Sequence, residues 1–205
     1  MVKLNESMNN LIDIFKSGNG YASLAILKAK GVHTDQIRKL LDTHIIEKIK
    51  PGLYKLANMP ILAEQGMVDL SLAMNKAVIC LHSALSYYGL CTSVPALIMI
   101  ALPKDAKSTK VLYPPFKVFH FSGNYYFTGI RILDTPNGKI RIYDPEKTIV
   151  DCFRYRNKLG IDIALEGLSN YIKTESRDYQ KLISYSQSMR MFRIMKPYLE
   201  SNISQ

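Results

Sequence analysis

The sequence has only three cysteines, Cys80, Cys91 and Cys152, far apart and without a CxxC pair. That argues against a disulfide framework and a cysteine zinc site, and makes a reducing cytoplasm the expected compartment. All three thiols read as small buried apolar groups. Long apolar runs are also lacking. The longest uncharged one, SVPALIMIALP from Ser93 to Pro103, is too short to span a bilayer and carries prolines at both ends. The opening MVKLNESMNN has no apolar core of signal-peptide type, so no membrane partner is expected.

Catalytic and cofactor motifs are equally scarce. Neither G-x-G-x-x-G nor G-x-x-x-x-G-K-[ST] occurs. His33, His44, His82 and His120 lack metal-ligand spacing. In LHSALSYYG a Ser follows a His, but neighbours on a helix point about 100° apart and cannot act as nucleophile and base. Asp144, Glu146 and Asp151 resemble a carboxylate cluster, yet Asp144 serves better as a helix cap with Glu146 in the first turn. No enzyme of known type is supported, and no cofactor or metal is expected.

Acid, too, is in short supply: 27 Lys and Arg face 17 Asp and Glu, a formal charge of +10. Such a surplus favours polyanionic partners through attraction to phosphates and release of their counterions, although it also serves solubility. Residues 1–60 carry nine of the cations against five acids, leaving eighteen against twelve for the remainder, so charge alone does not locate a binding face. With 205 residues and 47% hydrophobic side chains, the chain can build two modest domains.

The N-terminal part reads as three helices and a hairpin. Leu4, Met8, Leu11, Ile12 and Phe15 have helical spacing over residues 4–17, ended by Ser17 to Gly20. A second helix fits Leu24 to Lys30, capped by Ser23 and stopped by Gly31. A third fits Asp35 to Thr43, capped by Thr34, with Ile37, Leu40 and Leu41 inward. IIEKIKPGLYKL then forms two short runs across Pro51-Gly52, with Ile46, Ile49 and Tyr54 facing the helices and Lys48, Lys50 and Lys55 facing out. This order is a winged helix-turn-helix pattern.

On that pattern the candidate DNA contacts are Thr34, Asp35, Gln36, Arg38 and Lys39 of the third helix and Lys48, Lys50 and Lys55 of the wing. Gln36 and Arg38 can each present two hydrogen bonds to a base edge, and the lysines can reach phosphate. An ordinary amphipathic surface helix carries the same polarity without a ligand.

NMPILAEQGM (Asn58 to Met67) marks the domain boundary, giving 1–60 and 61–205. Residues 68–90 read as two helices split near Ala77. Strands fit 96–102, 111–112, 117–121, 129–133 and 139–142, with Asn137-Gly138 as a hairpin turn. DPEKTIVDCFRYRNKLG opens a helix at Asp144 and Pro145, with Ile149, Val150, Phe153 and Leu159 inward. Further helices fit 161–173 and 179–199. The fold class is therefore α+β: a winged helix-turn-helix, then an α+β domain with an antiparallel sheet and C-terminal helices. Arg154, Arg156, Lys158, Arg190 and Arg193 form either a solvated basic rim or a second basic surface for nucleic acid or an acidic protein.

Four segments in order carry a resemblance: GYASLAILKAKGVHTDQIRKLLDTHIIEKIKPGLYKLA, LHSALSYYGL, IMIALP and IRIYDPEKTIVDCFRY. Together they resemble the AbiEi-type antitoxins, over roughly residues 8–172. Gly52, Leu53 and Tyr54 match the close of the family's wing. Pro145, Glu146, Lys147, Thr148 and Asp151 are similar to its Pro-Glu-Arg-Thr-hydrophobic-x-Asp helix start. The chain departs in having His44 where a Gly is frequent, Pro51 where a basic residue is frequent, and Lys147 for Arg. The resemblance implies a repressor that binds double-stranded operator DNA. It also implies an antitoxin of a type IV toxin–antitoxin pair, whose partner is a nucleotidyltransferase-like toxin. A protein-interaction module that sets its basic faces on an acidic partner is the alternative.

Overall fold

The computed structural model describes residues 2–60 and 62–203, and shows an α+β chain that divides into two compact units. The first comprises residues 1–75 with the later segments 109–114 and 134–139; the second comprises 76–108, 115–133 and 140–205. The expected boundary at 60/61 thus lies one helix earlier than the division between the units.

In the first unit the elements run α1 (Val2–Ser17), β1 (Tyr21–Ser23), α2 (Leu24–Ala29), α3 (Thr34–Asp42), β2 (Ile46–Lys50), β3 (Leu53–Leu56) and α4 (Gln65–Ala73). The three strands form one antiparallel sheet in the order β1-β3-β2. β1 is too short for any periodicity to reveal. It exists because Tyr21, Ala22 and Ser23 pair with Lys55, Tyr54 and Leu53. Phe15, Leu27, Ile37, Leu40, Ile46 and Leu56 make the core. Phe15 and Leu27 are fully buried, each contributing about 1.5–3 kcal/mol. Leu11 is buried and Ile12 half-buried as expected, while the side chains of Leu4 and Met8 lie outside the described residues.

The second unit holds β4 (Val78–Ile79), α5 (Leu81–Tyr87), β5 (Ile98–Pro103), β6 (Phe116–Phe121), α6 (Asn124–Phe127), β7 (Ile130–Thr135) and β8 (Gly138–Tyr143), the last two strands meeting at the 134–139 turn. It ends in α7 (Pro145–Arg154), α8 (Arg156–Leu159), α9 (Ile161–Ile172), α10 (Tyr179–Ser188) and α11 (Phe192–Ile203). The two helices expected over 68–90 are present as α4 and α5, with β4 beside the expected break at Ala77, whereas the single helix expected over 179–199 is divided by the turn at Met189 to Met191.

The sheet corrects the antiparallel expectation. Its order is β6-β5-β4-β8-β7, and while β4 and β5 are antiparallel, β5–β6 and β4–β8 are parallel. Two antiparallel strands can be joined by a tight turn, whereas parallel ones need a crossover. Residues 104–115 provide one between β5 and β6. The strand expected at Val111-Leu112 is absent; Leu112 instead donates its N–H to the Ile49 carbonyl within the first unit (3.3 Å).

α7 is the axis of the second unit, packed by α5, α9 and α10. Asp144 caps it as expected, accepting from the Lys147 N–H at 2.8 Å, with Pro145 in the first turn. Beyond Ile149, Val150 and Phe153, its polar residues Glu146, Lys147, Thr148 and Asp151 are buried as well. Lys147 forms a fully buried ion pair with Asp151 one turn on. Its ammonium lies 4.5 Å from the Tyr143 ring centroid and 4.9 Å from that of Phe121. Burial pushes the Lys147 ammonium down and the Asp151 carboxyl up from their ordinary values, and the attraction between them offsets only part of that. Lys181 closes the helix start, 2.9 Å from Asp144 and 3.0 Å from Glu146.

Removing one partner of such a pair is costly; removing both is not. Lys147→Met alone is expected to lower unfolding stability by about 3–5 kcal/mol in urea titrations, and the Lys147→Met/Asp151→Leu double variant to recover most of it. In the single variant Asp151 titrates above its unfolded value, so its deficit is smallest in acid and grows as pH rises through the folded pKa.

Candidate nucleic-acid interface

The turn between α2 and α3 is set by local chemistry. Ser23 Oγ accepts from the Ile26 N–H at 3.2 Å to start α2. At its end Gly31 adopts φ +78°, with its N–H on the Lys28 carbonyl and the Val32 N–H on the Leu27 carbonyl. This is a Schellman closure, and the Leu27 and Val32 side chains that flank it are both buried in the core. Only four residues, Lys30 to His33, therefore separate α2 from α3.

α3 buries Ile37 and Leu40 and leaves Thr34, Asp35, Arg38 and Lys39 exposed. Its N-cap is His33 rather than the expected Thr34, which is already helical. Gln36, expected to face bases, is half-buried and turned back: its Oε1 accepts from the His33 N–H at 2.9 Å. That bond satisfies one of the donors left unpaired at a helix start, so base reading competes with capping at this residue. α3 closes with His44 in the left-handed region (φ +53°), the Ile45 N–H reaching the Leu40 carbonyl.

The hairpin follows at once. Ile46, Ile49 and Tyr54 are buried as expected. A bulge falls between Lys48 and Lys50, and Gly52 at the tip (φ +80°) accepts the Leu24 N–H at 2.8 Å, tying the tip to the start of α2.

Its three lysines, however, have different fates. Lys48 is exposed. Lys50 is half-buried and donates to the Ala73 carbonyl at 2.6 Å, one of the acceptors left open at the C-terminal end of α4. Lys55 has only 13% of its side chain exposed and pairs with Asp69 of α4 at 2.9 Å and Glu47 at 3.5 Å. Asp69 is buried, and it also accepts from the Tyr21 hydroxyl at 2.6 Å and the Gln65 amide at 3.2 Å. Burial first, and then the bond to Asp69, push the Tyr21 phenol well above its ordinary value. The expectation that Lys50 and Lys55 point outward is corrected, because α4 covers that side of the hairpin.

Two cations unmarked in the sequence join the exposed set. Lys28 and Lys30 of the α2 end are exposed. Among the described residues, neither they nor Arg38, Lys39 and Lys48 make an ion pair. Their lysine-every-second-residue spacing at a helix end was the available signal.

The members of the second basic set differ in exposure and contacts. Arg154 is half-buried, its guanidinium 3.7 Å from the Tyr125 ring centroid. Arg156 donates to the Phe153 carbonyl, and Lys158 lies 5.8 Å from the Tyr155 ring. Arg190 and Arg193 are exposed. Among the described residues no group of three or more His, Cys, Asp and Glu is placed to hold a metal, and no helix is long and apolar enough to cross a membrane.

Gln36→Ala removes half of the α3 start and is expected to lower thermal stability by about 0.5–2 kcal/mol, read as a reduced Tm. An unchanged Tm would show that the His33 N–H is satisfied without it. No protein-family model matches the chain, and no curated protein matches it.

Proposed function

We propose that the first unit is a winged helix-turn-helix that binds duplex DNA and represses transcription from its own promoter. The observation that carries this reading is the run of exposed, unpaired cations along consecutive elements, Arg38 and Lys39 on α3 and Lys48 on the hairpin. α3 enters the major groove, with Arg38 nearest base edges and Lys39 at the backbone; Lys48 contacts phosphate from the wing. Lys28 and Lys30 add contacts at the α2 end. Lys50 and Lys55 hold the hairpin rather than the duplex.

The resemblance to AbiEi-type antitoxins supports the same reading and extends it. On that likeness the protein is also the antitoxin of a type IV pair, acting with a nucleotidyltransferase-like toxin. This half predicts a gene for such a protein beside this one; a neighbourhood without it leaves a stand-alone regulator.

DNA binding is tested by titrating the upstream promoter duplex at several salt concentrations. Each neutralised phosphate adds about 0.9 to the slope of log K against log salt. Arg38→Ala/Lys39→Ala is expected to weaken binding and to flatten that slope by about one for every phosphate left without its cation. Equal affinity and slope for variant and wild type would refute the assignment of α3.

A further inference from the structure

The second unit contains a cavity of about 620 Å³ between the loop that follows β6 and the turn that joins α10 to α11. That volume suits a small molecule. Its lining is unusually polar for such a site: Ser122, Asn124, Thr128 and Ser188 supply hydroxyls and an amide, and Arg190 supplies a cation. None of the bordering residues is acidic.

Arg190 is held there against a conformational cost. It occupies the residue after the cap of α10 in the left-handed region, at φ +59°, while the Met191 N–H reaches back to the Ser186 carbonyl at 2.7 Å. Glycine fits that position best and asparagine tolerates it, whereas an arginine there is strained by roughly 1 kcal/mol or more. The side chain kept at that cost is exposed and, among the described residues, makes no ion pair.

A second cation stands behind the wall. Tyr125 borders the cavity, and the Arg154 guanidinium lies over its ring, 3.7 Å from the centroid, with the Phe121 and Tyr155 centroids also within 6.0 Å. Arg154 Nη1 is buried without a hydrogen-bond partner. Asp151, a carboxylate that senses it, is already committed to Lys147. An unneutralised charge in such surroundings is felt more strongly than in water.

Two arginines, four neutral hydrogen-bonding side chains and no acid describe a receptor for a compact dianion bearing further oxygens. We propose that this cavity binds a phosphate monoester carried on a hydroxyl-bearing small molecule. Arg190 holds the phosphate and Ser122 donates to its oxygens, Ser188 joins them by releasing its hydroxyl from the Tyr185 carbonyl (3.1 Å), and Asn124 and Thr128 meet the hydroxyls. The site is separate from the DNA-binding reading of the first unit and stands or falls without it.

The test is calorimetric titration of the full chain with ribose 5-phosphate, with ribose, and with adenosine 5′-monophosphate. Ribose 5-phosphate is expected to bind and ribose not. Tighter binding of the nucleotide identifies a nucleotide as the source of the phosphate, and equal binding identifies a sugar phosphate. Arg190→Asn keeps a residue that tolerates the left-handed backbone, so it preserves the turn while removing the cation; it is expected to weaken binding about tenfold or more. Asn124→Asp puts a negative charge at the rim without touching Arg190 and is expected to abolish binding. Absence of any binding by the wild-type chain, ribose binding as well as its phosphate, or either variant binding like wild type would overturn the proposal.

Discussion

One buried carboxylate organises the first unit. Asp69 is almost wholly out of water, and it is tolerable there only because β1 brings it the Tyr21 hydroxyl, β3 the Lys55 ammonium and its own helix the Gln65 amide. A buried charge with fewer partners would cost several kcal/mol. The network makes α4 part of the first unit rather than a linker to the second. It also decides which cations remain free. Lys55 is consumed by Asp69, Lys50 is consumed by the end of α4, and Lys48, facing neither, is left exposed.

The second unit uses the same device on a different helix. α7 lies among three others, so its polar residues cannot reach bulk water and must satisfy one another. Lys147 answers Asp151 beneath two aromatic rings, and Lys181 answers Asp144 and Glu146 at the helix start. A formal charge of +10 therefore overstates what a polyanion meets, since several cations are spent inside the protein. Those that remain exposed on α2, α3 and the hairpin are the ones on which the functional reading rests.

What could be read from sequence was local. Ser23, Gly31 and Asp144 act through hydrogen bonds to residues within a few positions, Pro145 acts through its fixed φ in a turn that needs no N–H from it, and the structure places all four in the expected roles. The hairpin's buried residues followed from its short apolar runs. What escaped was set at long range. β1 and β4 exist only through their partners, and the mixed sheet follows from a crossover with no turn motif to announce it. The inward faces of Lys50 and Lys55 depend on where α4 packs. Asp69 did leave a trace, a single acid among apolar residues in MVDLSLA, as did Lys147 and Asp151 in their one-turn spacing.

If Asp69 and α4 divide the hairpin's lysines into structural and DNA-facing ones, the two kinds must differ in reactivity. Amine-reactive footprinting of the full chain, with and without the promoter duplex, measures this residue by residue. Lys48 should be modified readily in the free protein and protected when DNA is added, with Lys50 and Lys55 poorly reactive in both states. Ready modification of Lys55 in the free protein, suppressed by DNA, would contradict it.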